Sequence, residues 1–423
     1  MNDEELIDQM VQRLGVELKR ISRRIDWGQV SGEALEGLIR QHLWHLGAQA
    51  FAVMAEKMDR QATRGRRVHD YRTRTVVTLF GPVDLARARC RGPEGWDCPL
   101  DRALGLLGHR GWTVGVQEAV SLLSCEMAFE TVSDVMERLF GGSISPPAVA
   151  VLAEAAGERA AGVEASAPAP IEEVADTLIV ATDGCQAPQR DGWHEVKIAT
   201  IYGKQSRCRR GPRGQLCAKE YVASLANAAG FGRILRGRME AWGVDQARRV
   251  VVMGDGAAWI WTLSDLHFPA ATEIVDFYHA AEHLWATGEA LWGDRQTSAA
   301  TKGWVRRYRR KLKEGRVDLV LAAIERSRAQ QGRRLSGERA KIVGLNLEYF
   351  RRNARRMAYG RFRQMGLPIG TGAVEGACKH VVQSRFKRPG MRWSQRGLSC
   401  MLPLRTARLN GHWELLWPHL RAA

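Results

Sequence analysis

Two short runs limit what this chain can be. "TLIVATDG" at 177–184 and "VVVMGDG" at 250–256 are built of small and apolar residues, many β-branched, and each closes on aspartate followed by glycine. Such runs are predicted as core strands of a sheet buried on both faces. A carboxylate at the end of a core strand costs free energy unless a metal ion or a hydrogen-bond network offsets it. If the two strands are neighbours, Asp183 and Asp255 come together, and a divalent cation is the simplest neutraliser of like charges that close. Taken singly, either aspartate also reads as an ordinary strand-end turn residue or helix cap.

The surroundings fit an α/β pattern. "WHEVKIATIYG" and "KEYVASL" are two further predicted strands, "GFGRILRGRMEAWG" a helix, and "ATEIVDFYHAAEHLWATGEALW" a short strand entering a long helix. Upstream the pattern differs. Residues 4 to 62 carry apolar residues at helical spacing and read as an antiparallel helical pair. "RTVVTLFGPVDLARARC" reads as a β-hairpin about Gly81-Pro82. Three short helices follow up to about residue 160, with Gly141-Gly142 as a break, Ser145 placed to cap and Pro146 in the first turn of the last helix. They form either a helix-turn-helix-like unit or a helical packing unit; the Ala-rich last helix offers few side chains for reading bases.

The expected organisation is therefore a helical region at 1–70, a hairpin and helix-turn-helix-like DNA-binding region at 71–162, and a Pro- and Ala-rich linker at 163–173. An α/β core follows at 174–285, then a basic helical insertion at 286–366, and the core resumes at 367–423. Charge is the second constraint. The 423 residues carry 63 Lys and Arg against 46 Asp and Glu, a net +17, and residues 302–363 alone hold twenty Lys and Arg against five acids. Nearly all of the net charge thus sits in one segment, which includes Arg306, Arg307, Arg309, Arg310, Lys311, Lys313, Arg351, Arg352, Arg355 and Arg356. A polyanion is the expected partner, double-stranded DNA first, gripped through its phosphates.

After the basic block, "LPIGTGAVEGACKHVVQSRFKRPGMRWS" has a Gly-Thr-Gly turn, and a helix is predicted from Ala373 to about Phe386. Glu375 falls near its start, Lys379 one turn on along the same face, and Arg385, Lys387 and Arg388 beyond. Taken in order, "TDG" at Asp183, "GDGAAWIW" at Asp255, "DFYHAAEHLW" at 276–285 and "GTGAVEGACKHVVQSRFKRPGMRWS" around Glu375 resemble the catalytic region of ISKra-type bacterial insertion-sequence transposases. The resemblance spans about 178–408 and implies a DDE enzyme with an RNase H-like mixed sheet. It implies Asp183 as the ligand shared by two Mg²⁺ ions (Mn²⁺ substituting), with Asp255 and Glu375 each completing one site. "DFYH" also matches the D-x-x-H pattern of Mutator-like and related enzymes, which implies accessory places near the site for Asp276 and His279. A homodimer or larger homo-oligomer is expected, because two DNA ends must be held together.

The alternatives are a transposase-derived DNA-binding protein without catalysis and another RNase H-like DNA nuclease. No run is long and apolar enough to span a bilayer, and the acidic start "MNDEELIDQM" is unlike a signal peptide, so a cytoplasmic protein bound to DNA is expected. Cys90 with Cys98, and Cys208 with Cys217, each supply only half of a tetrahedral zinc site, so zinc is not expected.

Overall fold

The computed structural model describes residues 3–92, 95–106, 111–171, 173–204 and 216–418. The chain divides into two compact units, Met1–Val163 with Gly411–Ala423, and Glu164–Asn410.

In the first unit, helices α1 (Asp3–Ser22) and α2 (Gly32–Ala62) precede a three-stranded antiparallel sheet of β1 (Val68–Thr78), β2 (Gly81–Gly92) and β3 (Gly95–Asp97). Ser31 caps α2 by accepting from the Ala34 amide. The hairpin turn is Leu79–Phe80, two residues earlier than Gly81-Pro82. Gly81, at φ +101°, opens β2, and Pro82 is the strand's second residue, opposite Val77. The short β3 carries too few residues to leave a periodicity in the sequence. Ala55 of α2 packs on Val76, Val83 and Leu85 of the sheet, with Leu100 of α3 (Pro99–Ala103) closing the cluster. Cys90 is buried in β2, and Cys98 occupies the N-cap position of α3. Cys208 and the side chain of Cys217 lie outside the described residues.

Helices α4 (Val114–Glu126), α5 (Phe129–Phe140) and α6 (Pro146–Ser166) form a second cluster around Val116, Val120, Val132, Met136, Val149 and Leu152. Gly141, at φ +64°, ends α5 in the left-handed conformation that suits glycine. The Ala-rich α6 buries Val149, Leu152, Ala153, Ala156, Gly157, Ala160 and Val163 along its length. Its small residues serve close packing.

The second unit is built on a five-stranded mixed sheet in the order β6-β5-β4-β7-β8. Strand β5 (Gly192–Lys204) runs antiparallel to both its neighbours, β4 (Thr177–Gln189) and β6 (Leu216–Ser224), while β7 (Arg249–Gly254) and β8 (Thr272–Val275) extend the sheet in parallel from β4. Residues 177–182 of β4 are buried without a break, as expected of a central strand covered on both faces. Helix α7 (Ala228–Ala241) is tied to edge strand β6 by a buried pair, Arg238 Nε to Glu220 Oε1 at 2.6 Å, with Trp242 Nε1 donating to the same carboxylate at 2.7 Å. Removing one partner of such a pair costs about 3–5 kcal/mol, because the other charge is left buried alone.

Helix α8 (Ala258–His267) links β7 to β8, and α9 (Phe277–Trp292) leaves the end of β8. The basic block is helical, as expected: α10 (Ala299–Lys313) and α12 (Gly337–Asn353) pack on α9, and α11 (Val317–Gln331) packs on both of them. After the short α13 (Tyr359–Gln364), the chain returns to the sheet as α14 (Gly372–Ala377), a π-helical stretch at Cys378–Gln383 and α15 (Ser384–Phe386), and then forms α16 (Gln395–Leu409). The predicted helix from Ala373 is therefore continuous but widened in the middle. The reason lies on α16: buried Arg405 donates through Nε to the Val381 carbonyl at 2.9 Å and through Nη2 to the His380 carbonyl and the Ser384 hydroxyl. A π turn frees carbonyls from the regular ladder, and here a guanidinium takes them. Among the described residues no helix is long and apolar enough to cross a membrane.

Candidate active site

Strand register puts three aspartates in one row. Ala181 of β4 pairs with Met253 of β7, so Asp183 and Asp255, each two residues further on, stand level; Gly254 pairs with Val275 of β8, so Asp255 and Asp276 also stand level. Neighbouring strands lie about 4.8 Å apart. Asp255 directly follows β7, but β4 does not close on Asp183 as the sequence suggests: it runs on to Gln189 paired with β5, so Asp183 lies mid-strand, just past the point where the β4–β7 pairing stops. Sequence alone suggested the first two as neighbours. Pairing adds Asp276 to the row.

Their environments differ. Asp183 is half-buried, accepts from the Gly184 amide through Oδ1 at 2.7 Å, and receives the Cys378 thiol at Oδ2 at 3.6 Å. Burial pushes its carboxyl above the ordinary range, and the charge of Asp255 pushes the same way, against the Gly184 hydrogen bond. Asp255 uses Oδ1 to accept from the Ala257 amide at 2.8 Å, closing a tight turn through Gly256. Asp276 is buried, with both oxygens committed: Oδ1 caps α9 by accepting from the His279 amide at 2.7 Å, and Oδ2 accepts from the amide and hydroxyl of Thr371. Since Thr371 is the N-cap of α14, Asp276 fastens the start of the glutamate helix to the end of β8. Asp276 therefore positions other groups.

Glu375 is exposed on α14, one turn before Cys378, and α14 lies against the β4–β5 face, where the Thr200 hydroxyl donates to the Ala373 carbonyl at 3.4 Å. The glutamate helix thus reaches the aspartate row through Cys378. Among the described residues no three His, Cys, Asp or Glu side chains converge closely enough to hold a metal ion, so the three carboxylates are not preassembled as one ligand set. Lys379 is exposed as the second residue of the π stretch. Cys185 of β4 and Cys378 share a thiol–thiol hydrogen bond. It draws Cys185 down to about 7 and, with burial and the Asp183 charge, pushes Cys378 up.

His279 is exposed at the start of α9, close enough to Asp183 to lower that carboxyl's pKa when protonated. One turn on, His283 bonds Asn346 of α12, Nδ1 to Oδ1 at 2.6 Å, and lies flat on Tyr349, with ring centroids 3.7 Å apart and planes at 20°. Burial lowers the His283 pKa and keeps the imidazole neutral. Glu282 points elsewhere, to Arg295 at 3.4 Å. Tyr349, Asn346 and Thr371 left no signal in the sequence, because their partners lie 94, 63 and 95 residues away.

The basic residues separate into two groups. Arg306, Arg307, Arg309, Arg310 and Lys313 of α10 are exposed, as are Arg351, Arg352, Arg355 and Arg388, while Lys311 is half-buried against Glu314. Arg351 pairs with Glu325 at 2.6 Å, and the half-buried Lys387 sits over the exposed Trp193 ring at 5.4 Å. Two expected surface cations are instead interior. Arg356 donates to Glu273 of β8 at 2.7 Å and covers Trp261 at 4.4 Å, and Arg385 lies 4.9 Å from the Trp393 ring centroid at 1% exposure. Both guanidiniums are held by aromatic faces, which a charge count along the sequence does not reveal.

Residues 28–415 match the family described as "Uncharacterised protein family (UPF0236)". A relative, "UPF0236 protein in vanSb 3'region" from Streptococcus gallolyticus, is 22% identical over 384 residues, covering 87% of this chain and 81% of its own. A solved structure titled "Drosophila P element transposase strand transfer complex" is similar at 11% identity, over 72% of this chain and 83% of that chain. Its TM-score of 0.25 is too low for a shared fold to be read from it.

Proposed function

The chain belongs to the UPF0236 family, and we propose that it is a DDE transposase that cleaves and joins DNA at the ends of an insertion sequence. The observation that carries this reading is that Asp183 and Asp255 stand level where the parallel pairing of β4 with β7 stops, with the Glu375 helix fastened beside them through Asp276–Thr371 and Cys378. Three antiparallel strands followed by two parallel ones, with an aspartate within the central strand, another directly after the next parallel strand and a glutamate on a later helix, support an RNase H-like reading of the fold and an ISKra-type reading of the chain.

The donor set suits a hard cation: carboxylate oxygens, two of them crowded enough that the charge of Asp255 raises the pKa of Asp183. Asp183 would serve both of two Mg²⁺ or Mn²⁺ ions, with Asp255 and Glu375 completing one site each. When bound, such ions activate the attacking oxygen and neutralise the charge developing on the phosphate. The chain's own residues hold the DNA and set its geometry. Exposed cations of α10 grip phosphates, and the π stretch that follows the Glu375 helix holds Cys378 on Asp183 of β4. In the first step water attacks phosphorus and the strand's 3′ oxygen leaves as a hydroxyl; in the second that hydroxyl attacks target DNA and displaces another 3′ oxygen. Two ends must be held together, so the working form is a homodimer or larger.

The test uses the full chain with DNA carrying the inverted repeats that flank its gene. Asp183→Asn, Asp255→Asn and Glu375→Gln should each lower cleavage by on the order of 10³-fold or more with DNA binding kept, as loss of a principal charge-stabilising group does. Parental cleavage in any of the three removes that residue from the assignment. Parental cleavage in all three returns the chain to a DNA-binding role without this catalytic site.

A further inference from the structure

Asp255 and Gly256 turn sharply at the end of β7, and the group that holds this turn comes from the basic insertion. The Tyr349 hydroxyl of α12 donates to the main-chain carbonyl of Asp255 at 2.8 Å. Its ring fills the space beside Gly256: a Cβ there would lie 2.6 Å from Tyr349 Cε2, and Gly256 has φ +107°, a conformation that suits glycine. Tyr349 is itself braced, stacked on His283 at 3.7 Å, while His283 is fixed by Asn346 at 2.6 Å. Helix α12 thus grips the Asp255 turn through one hydroxyl and one ring face. The Asp255 carboxylate places Oδ1 on the Ala257 amide, and among the described residues no hydrogen bond engages Oδ2.

We propose that Tyr349 is a positioning residue for Asp255, fixing the turn so that Oδ2 is presented to a divalent cation, with His283 and Asn346 as its support. The inference rests on the metal-dependent reading above and deepens it, giving the insertion a second task besides holding phosphates. A hydroxyl that fixes the main chain beside a ligand acts as a partner of the ligand does in other metal sites, where its loss weakens metal binding by about 10–100-fold.

The experiment measures Mn²⁺ binding to the full-length protein by electron paramagnetic resonance, alongside cleavage titrated with Mn²⁺. Tyr349→Phe keeps the ring, the stack and the filled space beside Gly256 and removes only the hydroxyl. It should weaken Mn²⁺ binding about tenfold and leave DNA affinity unchanged, and its cleavage should recover at high Mn²⁺. Tyr359→Phe controls for loss of a buried hydroxyl in the same insertion, because Tyr359 packs on Phe277 and, among the described residues, its hydroxyl has no hydrogen-bond partner; it should bind Mn²⁺ as the parent does. In an Asp255→Asn background, Tyr349→Phe should weaken binding no further. Parental Mn²⁺ affinity in Tyr349→Phe, an equal loss in Tyr359→Phe, or a full further loss in the Asp255→Asn background overturns the proposal. If Asp183→Asn also binds Mn²⁺ as the parent does, the metal reading falls and takes this inference with it. If Asp183→Asn loses Mn²⁺ while Tyr349→Phe keeps it, only the role of Tyr349 falls.

Discussion

The row of acids across β4, β7 and β8 and the exposed face of α10 are both clusters of like charge, and they tolerate that charge in opposite ways. On α10, Arg306, Arg307, Arg309 and Arg310 are exposed, Arg309 over the Phe277 ring at 5.4 Å and Arg310 near Glu314 at 3.8 Å, and water screens their repulsion. At the sheet end the main chain holds the acids level, and burial raises the cost of each charge. Surface cations are therefore close to interchangeable, whereas each acid in the row has its own partners and its own task.

The sharpest test of that contrast is Asp276→Ala. It leaves the Thr371 amide and hydroxyl and the His279 amide without their acceptor, at about 1–3 kcal/mol for each buried donor, so a loss of roughly 3–5 kcal/mol in stability is expected, together with loss of cleavage. Thermal unfolding with a cleavage assay decides it. A variant that melts with the parent would mean that the row is as tolerant as the helix.

Neutralising Arg306, Arg307, Arg309 and Arg310 to Gln should leave unfolding nearly unchanged. Binding to specific and random DNA should weaken alike, and the slope of log affinity against log salt should flatten by about 0.9 for each phosphate that the helix no longer neutralises. An unchanged slope across a salt series would remove α10 from the DNA interface.

The smallest expected effect is also opposite in sign. Because the folded-state pKa of Asp183 is raised, its ionisation opposes folding: stability present at pH below about 3.9 is lost as pH rises through the raised folded value. In metal-free protein, Asp183→Asn should therefore melt with the parent in acid and above it at neutral pH. Thermal unfolding of both proteins in acid and at neutral pH reads the sign of that difference. A variant less stable than the parent at neutral pH would show that the carboxylate supports the fold instead of straining it.

Much of this architecture was legible in the chain itself. The unbroken apolar runs before Asp183 and Asp255 specify central strands, because a strand buried on both faces needs apolar residues at every position. Helical periodicity marked α1 and α2, and glycine and proline marked the breaks, since those residues act through local backbone geometry. The basic block was recognisable as a helical segment from composition and period alone.

Only the tertiary structure decided which charges are used internally. Arg356 and Arg385 read like any other cation in a basic run, yet lie buried against Trp261 and Trp393, and Asp276, expected only as an accessory residue near the site, has both oxygens committed within the fold. The π stretch beside Asp183 depends on Arg405, more than twenty residues away. The turn at Asp255 depends on Tyr349, 94 residues on. Periodicity and local propensity report on neighbours along the chain. Partners this distant are set by how sheet and helices pack, which local pattern does not encode.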